Sequence, residues 1–294
     1  MEKSMVFNQF KTFLLLAAMS GLLLLAGSAI GGSSGIKIAL LLALIMNIIS
    51  YFYSDKIVLS LYNAQPLDKN QFSWLHSIVQ DLTQKMGLPM PKLWVIDTPM
   101  ANAFATGRNS DHASVAVTTG ILDILDEREL RGVLAHELGH VKNRDILIST
   151  VAATMSTAIG YLANMVRFAA IYGASDDRNR RTNPFASLLV IIFMPLAAML
   201  LQMAVSRSRE YLADETGAEY SEDPLALASA LEKLHYSVQR AHLDNQADAN
   251  KASTATLFIV NPFTAQGIIA LFSTHPPMQE RIKRLRQMHE KMFK

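Results

Sequence analysis

Four long runs of hydrophobic residues alternate with polar stretches along this chain of 294 residues. Each run is close to the ~20 residues that a helix needs to cross the hydrocarbon core of a bilayer. The pattern therefore predicts about four transmembrane helices, with folded polar regions between and after them. The four runs are residues 13–30, 38–53, 146–166 and 185–205.

The first two runs are separated only by the glycine- and serine-rich segment 31–35, which is typical of a tight turn. They predict a transmembrane hairpin within residues 1–54, and three aromatic residues at 51–53 lie where the second helix would leave the membrane. Two lysines precede the first run, so a cleaved signal peptide is an alternative interpretation of that run. The second run follows at once, which favours a hairpin that is retained.

The third and fourth runs admit two interpretations. The third carries serine, threonine and asparagine side chains, and the fourth contains Pro195. They form either a second transmembrane hairpin over residues 146–205 or a buried helix pair that does not fully cross the bilayer. A loop with three arginines, residues 176–181, lies between them. Because arginine disfavours the outer side of a membrane, this loop weighs against full crossing.

The first polar region, residues 55–145, predicts both helix and strand. A helical period covers residues 75–86 and ends near a Gly-Leu-Pro segment. Three segments that favour extended structure then predict strands over 92–96, 102–107 and 114–118, the last two joined by a polar turn.

The second polar region, residues 206–294, predicts helices with a polar loop between them. Asp223-Pro224 is typical of a helix start, and the period that follows extends to about Gln239. Residues 244–255 are polar and alanine-rich, which predicts a loop, and the chain ends in a basic amphipathic helix. We therefore expect an integral membrane protein that is mainly α-helical with a small β-sheet, of the α+β class.

The composition supports a membrane protein and excludes some other classes. Half of the residues are hydrophobic, 18% are charged, and the mean hydropathy is +0.20, which is too apolar for an ordinary soluble domain. The lipid bilayer is therefore an expected partner. The net charge of +2, without a stripe of basic and aromatic residues, predicts no nucleic-acid partner. The absence of cysteine excludes disulfides and thiolate metal sites.

One short segment of the first polar region carries two imidazoles and a carboxylate in the pattern His-Glu-x-x-His. His136 and His140 lie four positions apart, so on a helix they share one face, about 6 Å from each other. Two such imidazoles can bind one Zn²⁺ ion, and Glu137 between them can act on water. Asp126 is a candidate N-cap, so the required helix is itself predicted. Gly139 indicates either close approach of another backbone or a loosely packed turn.

A catalytic zinc site needs a third protein ligand and one open position. Because the chain has no cysteine, this ligand is a histidine, an aspartate or a glutamate. Glu210 and Asp214 are again four positions apart, so one can bind the metal while the other orients a metal-binding histidine. Alternatively, they form a solvated acidic face paired with Arg207 and Arg209. The spacing alone does not decide between these interpretations.

Membrane topology favours Glu210 as the third ligand. Glu210 and His140 can bind one metal only from the same side of the membrane, so the chain between them must cross it an even number of times. The two apolar runs between them meet this requirement, and they place the zinc within ~10 Å of the membrane surface. Lysines and arginines near the runs fall mostly on this side, which predicts that it is cytoplasmic.

Three groups of residues together carry a family signature. They are His136-Glu-Leu-Gly-His140 followed by Asn143 and Asp145, then Ser206-Arg-x-Arg-Glu210-Tyr-x-Ala-Asp214, then Ser273-Thr-His-Pro-Pro277. With them, the chain resembles the integral-membrane zinc metallopeptidases related to the CAAX prenyl proteases. The two N-terminal runs, the chain length and the segment 102–107 resemble the bacterial HtpX branch of that family.

The resemblance implies a zincin-like catalytic domain with one Zn²⁺ ion per chain. It implies that His136, His140 and Glu210 bind the zinc, that Glu137 is the catalytic base, and that Asp214 supports a ligand. It also implies quality control in the stress response, with misfolded or unfolded membrane proteins as substrates. The expected location is the cytoplasmic face of the bacterial inner membrane.

We therefore expect a zinc endopeptidase whose catalytic domain combines residues 55–145 and 206–294. His275, in a rigid His-Pro-Pro turn, or a nearby arginine can stabilise the oxyanion, although packing also explains this histidine. Asn102 is a candidate substrate contact, because its strand can pair with an extended peptide beside the metal helix, although turn chemistry explains it too.

Three rival functions are weighed against this one. An intramembrane protease is disfavoured because the segment 127–144 around the motif is too charged to lie within a span. A protease acting on prenylated peptides shares the site motifs, but four apolar runs are fewer than we expect for that branch. The remaining alternative is a non-enzymatic membrane protein with an accidental motif, which predicts no stoichiometric zinc.

Overall fold

The computed structural model describes residues 2–155, 207–243 and 276–292 of the chain. Within these ranges the protein is mostly helical and contains one small mixed sheet, as predicted. The fourth apolar run, most of the third, the predicted loop at 244–255 and His275 lie outside the described residues.

The N-terminal helix α1 (Glu2–Leu61) bends sharply at Gly32 and folds back on itself. Gly32 has φ 53° and ψ −134°, a conformation that glycine adopts at little cost. The Nδ2 atom of Asn47 donates a hydrogen bond of 2.9 Å to the Oγ atom of Ser20, 27 positions earlier. In a straight helix these residues would be about 40 Å apart. Residues 2–61 therefore form a helical hairpin, and its crossing of the membrane as a pair stays a prediction.

Only part of the predicted set of membrane spans is described. Among the residues of the three described ranges, one helix, Gly32–Leu61, is long and apolar enough to cross a membrane. The first predicted run overlaps a shorter apolar helix, Phe10–Leu25, and the third is described only as Ile146–Met155, which we call α5. The structure thus supports one clear span and leaves the number four as a prediction.

Four strands form the sheet: β1 (Gln65–Pro66), β2 (Lys92–Ile96), β3 (Ala103–Gly107) and β4 (Ala113–Thr118). They lie side by side in the order β1-β2-β4-β3. The parallel pair is β2 with β4, whereas β1 with β2 and β3 with β4 are antiparallel. All three predicted strands are present, and the polar turn between β3 and β4 contains a short 3₁₀ helix. The two-residue strand β1 was not predicted, because it is too short to show an alternating pattern.

Two helices of the polar regions lie close to the limits predicted for them, residues 75–86 and residues 224 to about 239. The first ends at Gly87, whose φ of 66° is the left-handed conformation typical of a helix C-terminus. The helix predicted to start at Asp223-Pro224 does so, and the Asp223 carboxylate accepts a hydrogen bond of 3.0 Å from the Ala226 N–H. The helices are α2 (Ser73–Met86), α3 (Thr119–Ile124), α4 (Glu127–Lys142), α6 (Arg207–Ser221), α7 (Pro224–Leu243) and α8 (Met278–Met292).

Helix α4 lies at the centre of the core. Its apolar residues Leu130, Leu134 and Leu138 are fully buried in one cluster to which the sheet and helices α2, α6, α7 and α8 also contribute. The two polar regions of the sequence therefore share a single core. Helix α5 follows α4 directly and packs through Val151 and Met155 against the first half of α1. The helix that carries the motif is thereby connected to the N-terminal hairpin.

Candidate metal centre

The N-terminus of α4 is fixed by the cap that the sequence predicts. The Asp126 side chain accepts a hydrogen bond from the Glu129 N–H, and the Glu129 side chain accepts one from the Asp126 N–H. Glu129 is buried, and its carboxylate also accepts hydrogen bonds from the Ser229 hydroxyl and the Lys233 ammonium group of α7, at 2.7 and 2.6 Å. This capping box starts the helix at a defined residue and ties it to its neighbour.

His136, His140 and Glu210 converge where α4 faces α6. One ligand atom from each lies within 4.8 Å of the other two. Oε1 of Glu210 is 3.6 Å from Nε2 of His140, and its Oε2 is 3.9 Å from Nε2 of His136. Two imidazole nitrogens and one carboxylate oxygen, arranged this closely, are the donors of a catalytic zinc site with an open position. The predicted ligands are thus brought together from two polar regions.

The alternative of a solvated acidic face on α6 is wrong. Glu210 and Asp214 are only 6% and 2% exposed, so neither belongs to a solvent-facing surface. The side chain that pairs with Asp214 is Arg281 of α8, and not an arginine of the same helix. The acidic pair points inward because α6 presents it to the two imidazoles of α4.

Two glycines allow α4 and α6 to approach closely. A Cβ atom on Gly139 would lie 3.2 Å from the Ala213 carbonyl oxygen, and one on Gly217 would lie 2.8 Å from the His136 backbone nitrogen. The structure therefore decides the interpretation of Gly139 in favour of close backbone approach. Gly217 was not singled out from the sequence, because nothing near it marks the surface that it faces.

His136 is held by a chain of contacts that crosses three helices. Its Nδ1 atom lies 3.0 Å from Oδ1 of Asp214. Asp214 in turn accepts two hydrogen bonds from Arg281, at 2.8 Å from Nε and 2.7 Å from Nη2. Arg281 has no exposed surface, and its Nη1 atom lies 3.6 Å from Oε2 of Glu210. Arg281 therefore contacts both carboxylates of α6.

Burial and charge keep His136 neutral and Asp214 ionised. Burial lowers the pKa of His136 and outweighs the opposite effect of Asp214. Burial alone would raise the pKa of Asp214, but the neighbouring Arg281 guanidinium lowers it below its ordinary value. A neutral imidazole whose second nitrogen faces a carboxylate is the arrangement that favours metal binding.

His140 is supported by a residue from its own stretch of chain. Its Nδ1 atom lies 3.2 Å from both carboxylate oxygens of Asp145, in the turn just after α4. The Asp145 N–H donates a hydrogen bond of 3.2 Å to the His140 carbonyl oxygen, which fixes this turn. Burial alone would lower the pKa of His140, but nearby carboxylates, Asp145 first among them, raise it to about 10. The only sequence signal for this role is a carboxylate soon after the motif.

Glu137 faces the sheet, where β3 forms one edge. Its Oε2 atom accepts a hydrogen bond of 2.9 Å from the Ala105 N–H of that strand. Burial raises the pKa of Glu137 to about 8. Further along the same edge, the Gly107 N–H donates to the Thr150 hydroxyl of α5 at 3.3 Å. The carboxylate between the two histidines is therefore positioned by the edge strand.

Asn102 and His275 are the candidates for substrate contact and oxyanion stabilisation, and the structure describes only the first. Asn102 is buried and lies just before β3, where its N–H donates to the Thr118 hydroxyl at 2.9 Å. Its carbonyl oxygen accepts a hydrogen bond of 3.0 Å from the Thr118 N–H. Asn102 thus lies at the start of the edge strand, near Glu137 in the fold, and its contact with substrate stays a prediction. His275 lies outside the described residues.

The buried charges around the three donors match a divalent cation. If all are ionised, four carboxylates and two guanidinium groups leave a net charge of minus two, since both histidines are neutral when they bind a metal. Zn²⁺ would neutralise this charge, so the residues present fit the ion. The buried carboxylates are Glu137, Asp145, Glu210 and Asp214, and the guanidinium groups are those of Arg281, which is fully buried, and Arg209, which is partly buried.

Comparison with known proteins agrees with this geometry. The family model for peptidase family M48 matches residues 69–289. The chain is 52% identical over 283 residues to a protein named Protease HtpX homolog from Ralstonia pickettii (strain 12J), covering 96% of this chain and 97% of that protein. A protein of the same name from Sulfurihydrogenibium sp. (strain YO3AOP1) is 50% identical over 290 residues, covering 97% of each chain.

One solved structure resembles the whole described fold. The crystal structure of S. mikatae Ste24p aligns with a TM-score of 0.51 and 18% identity, covering 97% of this chain and 67% of that one. At this identity the likeness concerns the fold. The resemblance to the HtpX branch is confirmed by the relatives at about half identity, and an accidental motif in a non-enzymatic protein is excluded. The chain therefore belongs to peptidase family M48, and it is a membrane zinc metallopeptidase.

Proposed function

We propose that the protein is an endopeptidase that cleaves misfolded or unfolded membrane proteins at the cytoplasmic face of the bacterial inner membrane. His136, His140 and Glu210 hold its zinc ion in this proposal. The observation that carries the assignment is the convergence of their ligand atoms within 4.8 Å, from segments on either side of the apolar pair. The names of the relatives support a protease, and the apolar helix Gly32–Leu61 supports a membrane location.

Three further residues position the ligands. Asp214 orients His136 through the contact at Nδ1, and Asp145 does the same for His140. Arg281 keeps Asp214 ionised and fixed, because it donates two hydrogen bonds to the carboxylate from a fully buried position. Carboxylates behind metal-binding imidazoles fix the tautomer and ring orientation and raise the basicity of the ligand.

Glu137 moves the proton in the proposed reaction. Zinc, when bound, lowers the pKa of water toward ~7, polarises a carbonyl group and favours the ionised form of a nearby carboxyl group. The Ala105 N–H holds Oε2 of Glu137, so we assign Oε1 to accept the proton from the attacking water. The same oxygen then gives the proton to the leaving amine. The high pKa that burial gives Glu137 suits both steps, because the group must bind and release a proton near neutral pH.

The edge of β3 is the proposed site for the substrate backbone. An extended peptide can pair with an edge strand, and Glu137 lies directly beside this one. Because Glu137 and Thr150 already accept the hydrogen bonds of the Ala105 and Gly107 N–H groups, the peptide pairs with the Ala103 end of the strand. Asn102 lies at that end and is a candidate contact. His275 is kept as a candidate for oxyanion stabilisation on the sequence pattern alone.

Replacing the carboxylate of Glu137 tests the proposal. The variant Glu137→Gln should retain about one zinc per chain but lose proteolysis of an unfolded membrane protein by about 10²–10⁴-fold, the usual contribution of general acid–base catalysis. Glu127→Gln is the matched control, because Glu127 is exposed at the start of the same helix. Zinc content and cleavage rate are measured on the same purified samples. Cleavage by Glu137→Gln at the wild-type rate would overturn the assignment.

A further inference from the structure

The second half of α1 marks where the membrane surface lies. Lys37 and Lys56 are 19 positions apart, and no charged residue occurs between Lys37 and Asp55. At 1.5 Å per residue this separation is about 28 Å, close to the ~30 Å hydrocarbon core of a bilayer. Lys56 therefore lies at the cytoplasmic interface of the span proposed above. The aromatic residues 51–53 lie one turn deeper.

Two of the three aromatic rings at this interface lie near a cation. Tyr51, Phe52 and Tyr53 remain 39%, 50% and 49% exposed in the folded chain. The Nζ atom of Lys56 lies 5.1 Å from the ring centroid of Tyr53. The Cζ atom of Arg108 lies 5.4 Å from the ring centroid of Phe52. Lys56 belongs to the same helix, whereas Arg108 comes from the catalytic fold, at the start of the turn between β3 and β4.

This turn is polar, exposed and internally braced. Its sequence, residues 108–112, is Arg-Asn-Ser-Asp-His, and Asn109, Asp111 and His112 are exposed. The Asn109 Oδ1 atom accepts a hydrogen bond of 3.0 Å from the His112 N–H. The Nη2 atom of Arg108 lies 2.7 Å from Nε2 of His112. The turn therefore presents a defined arrangement of polar groups rather than an apolar surface.

The turn is also fixed in height relative to the span. Val58 and Leu59, in the last turns of α1, are buried against Phe104 of β3 in one apolar cluster. The ring of Tyr62 contacts that of Phe104, with centroids 5.6 Å apart. Because α1 runs without a break from the apolar stretch into this cluster, the turn cannot move away from the membrane surface without unpacking β3.

We propose that the turn 108–112 is an interfacial anchor that lies in the phospholipid headgroup layer, with Arg108 binding lipid phosphate while it rests on Phe52. The inference depends on the proposed membrane span of α1. A planar guanidinium presents paired donors that match a phosphate, and aromatic rings favour the headgroup level. Asp55 and Asp111 lie on the same segments, so the patch carries both signs of charge. The anchor therefore recognises the phosphate that all phospholipids carry, without a requirement for net anionic lipid.

The position of the turn indicates the height of the active site. Ala105, whose N–H donates to the Glu137 carboxylate, lies on β3, three residues before Arg108, which directly follows the strand. At about 3.3 Å per residue, the strand places Ala105 within about 10 Å of the headgroup layer. The chain of a membrane protein can therefore reach Glu137 close to the point where it leaves the membrane surface. The proposed preference for membrane proteins then has a geometric cause.

Depth-dependent fluorescence quenching tests this inference. The chain has no cysteine, so a fluorophore can be attached at Ser110→Cys, partly exposed in the same turn, in the full-length protein reconstituted in phosphatidylcholine vesicles. A spin label on the lipid headgroup should quench this probe strongly, and a label in the middle of the acyl chain weakly. Glu222→Cys, exposed just after the C-terminal end of α6, should be quenched by neither. Ile45→Cys, within the span, should be quenched by the mid-chain label.

The controls separate this inference from the proposal on which it rests. If Ile45→Cys is quenched by the mid-chain label but Ser110→Cys is not quenched by the headgroup label, the anchor is wrong and the span stands. If Ile45→Cys is not quenched by the mid-chain label, the membrane span and the proposed membrane function are both wrong. Adding Arg108→Glu to Ser110→Cys should reduce headgroup quenching severalfold, because labelled headgroups are no longer bound beside the probe while packing keeps the turn at its height. Arg286→Glu, exposed on α8, should not reduce it. Equal quenching in both double variants would remove Arg108 from the anchor.

Discussion

The two imidazoles of the motif differ in how the rest of the protein supports them. His136 and His140 lie on one helix, with ring centroids 4.8 Å apart and planes at 86°. The side chain of His136 is 1% exposed, and its support comes from Asp214 and Arg281, on two other helices. His140 is 18% exposed, and its partner Asp145 is five positions further along the chain. One ligand thus depends on tertiary assembly and the other on a local turn.

The difference has a consequence for stability. Arg281 and Asp214 form a fully buried ion pair, so removing one charge leaves the other desolvated and without its main partner. Asp145 sits beside an imidazole that can lose its proton, so the charge balance there can adjust. We therefore expect a change in the Arg281–Asp214 pair to lower the stability of the protein strongly, and a change of Asp145 to lower it little.

The largest effect is expected from Arg281→Met. Because this change leaves the Asp214 carboxylate buried without its two hydrogen bonds, it should lower the free energy of unfolding by about 3–5 kcal/mol. Arg281→Lys should fall between the wild type and Arg281→Met, since it restores the charge but not the paired donors. Denaturant unfolding of the metal-free protein measures these differences. Arg284→Gln, on the exposed side of the same helix, should change stability little, and equal losses in Arg281→Met and Arg284→Gln would refute the distinction.

A smaller effect is expected when the two supporting carboxylates are compared directly. Asp214→Asn should weaken zinc binding by about 10–100-fold, the usual result of losing a carboxylate behind a metal-binding imidazole. Asp145→Asn should fall at the low end of that range, because His140 is less buried and its turn keeps the backbone hydrogen bond from Asp145. Competition with a chelator of known affinity measures both. A larger loss in Asp145→Asn would reverse the comparison.

The same contrast explains what could be predicted from the sequence. The cap at Asp126, the helix α4 and the pair His136 and His140 follow from spacing within one helix, and the structure confirms the helix and its cap. Glu210 was reached through membrane topology, because its spacing to the motif carries no local signal. The three strands beside the motif were also predicted at nearly their observed limits.

The parts that escaped prediction all depend on contacts between distant segments. Arg281 pairs with a residue 67 positions earlier, and nothing in its amphipathic helix distinguishes it from the exposed basic residues around it. Gly217 matters only because α6 lies against the backbone of His136. The order of strands and the parallel pairing of β2 with β4 likewise depend on the helices that connect and cover the sheet.

The last expected difference between the imidazoles is in pH dependence. Nearby carboxylates, Asp145 first, outweigh burial and raise the pKa of His140 to about 10, so zinc must displace its proton at neutral pH, whereas the pKa of His136 is lowered. In a Glu137→Gln background, zinc affinity should rise about tenfold per pH unit from pH 7 to 9, one proton being displaced. Adding Asp145→Asn should flatten this slope, because the pKa of His140 then returns toward or below ~6.5. Isothermal titration over this range measures both slopes.

The sign of the corresponding effect on stability is opposite. A folded pKa of about 10, above the value of ~6.5 in an unfolded chain, stabilises the metal-free protein below pH 6.5. This contribution is lost as the pH rises through 10. Unfolding of the metal-free Glu137→Gln variant should therefore become easier between pH 7 and 10, and less so with Asp145→Asn. Identical pH profiles for the two proteins would show that Asp145 does not control His140.

The central claim is that Glu210, which follows the third and fourth apolar runs in the sequence, completes the metal site. The most direct test is the zinc content of purified full-length wild type, Glu210→Ala and, as a control on the same helix, Glu219→Ala, which is exposed. We predict about one zinc per chain in the wild type and in Glu219→Ala. Glu210→Ala should lose most of its zinc after dialysis against a mild chelator, while its α-helical content is unchanged. Retention of one zinc per chain in Glu210→Ala, at wild-type affinity, would contradict the account.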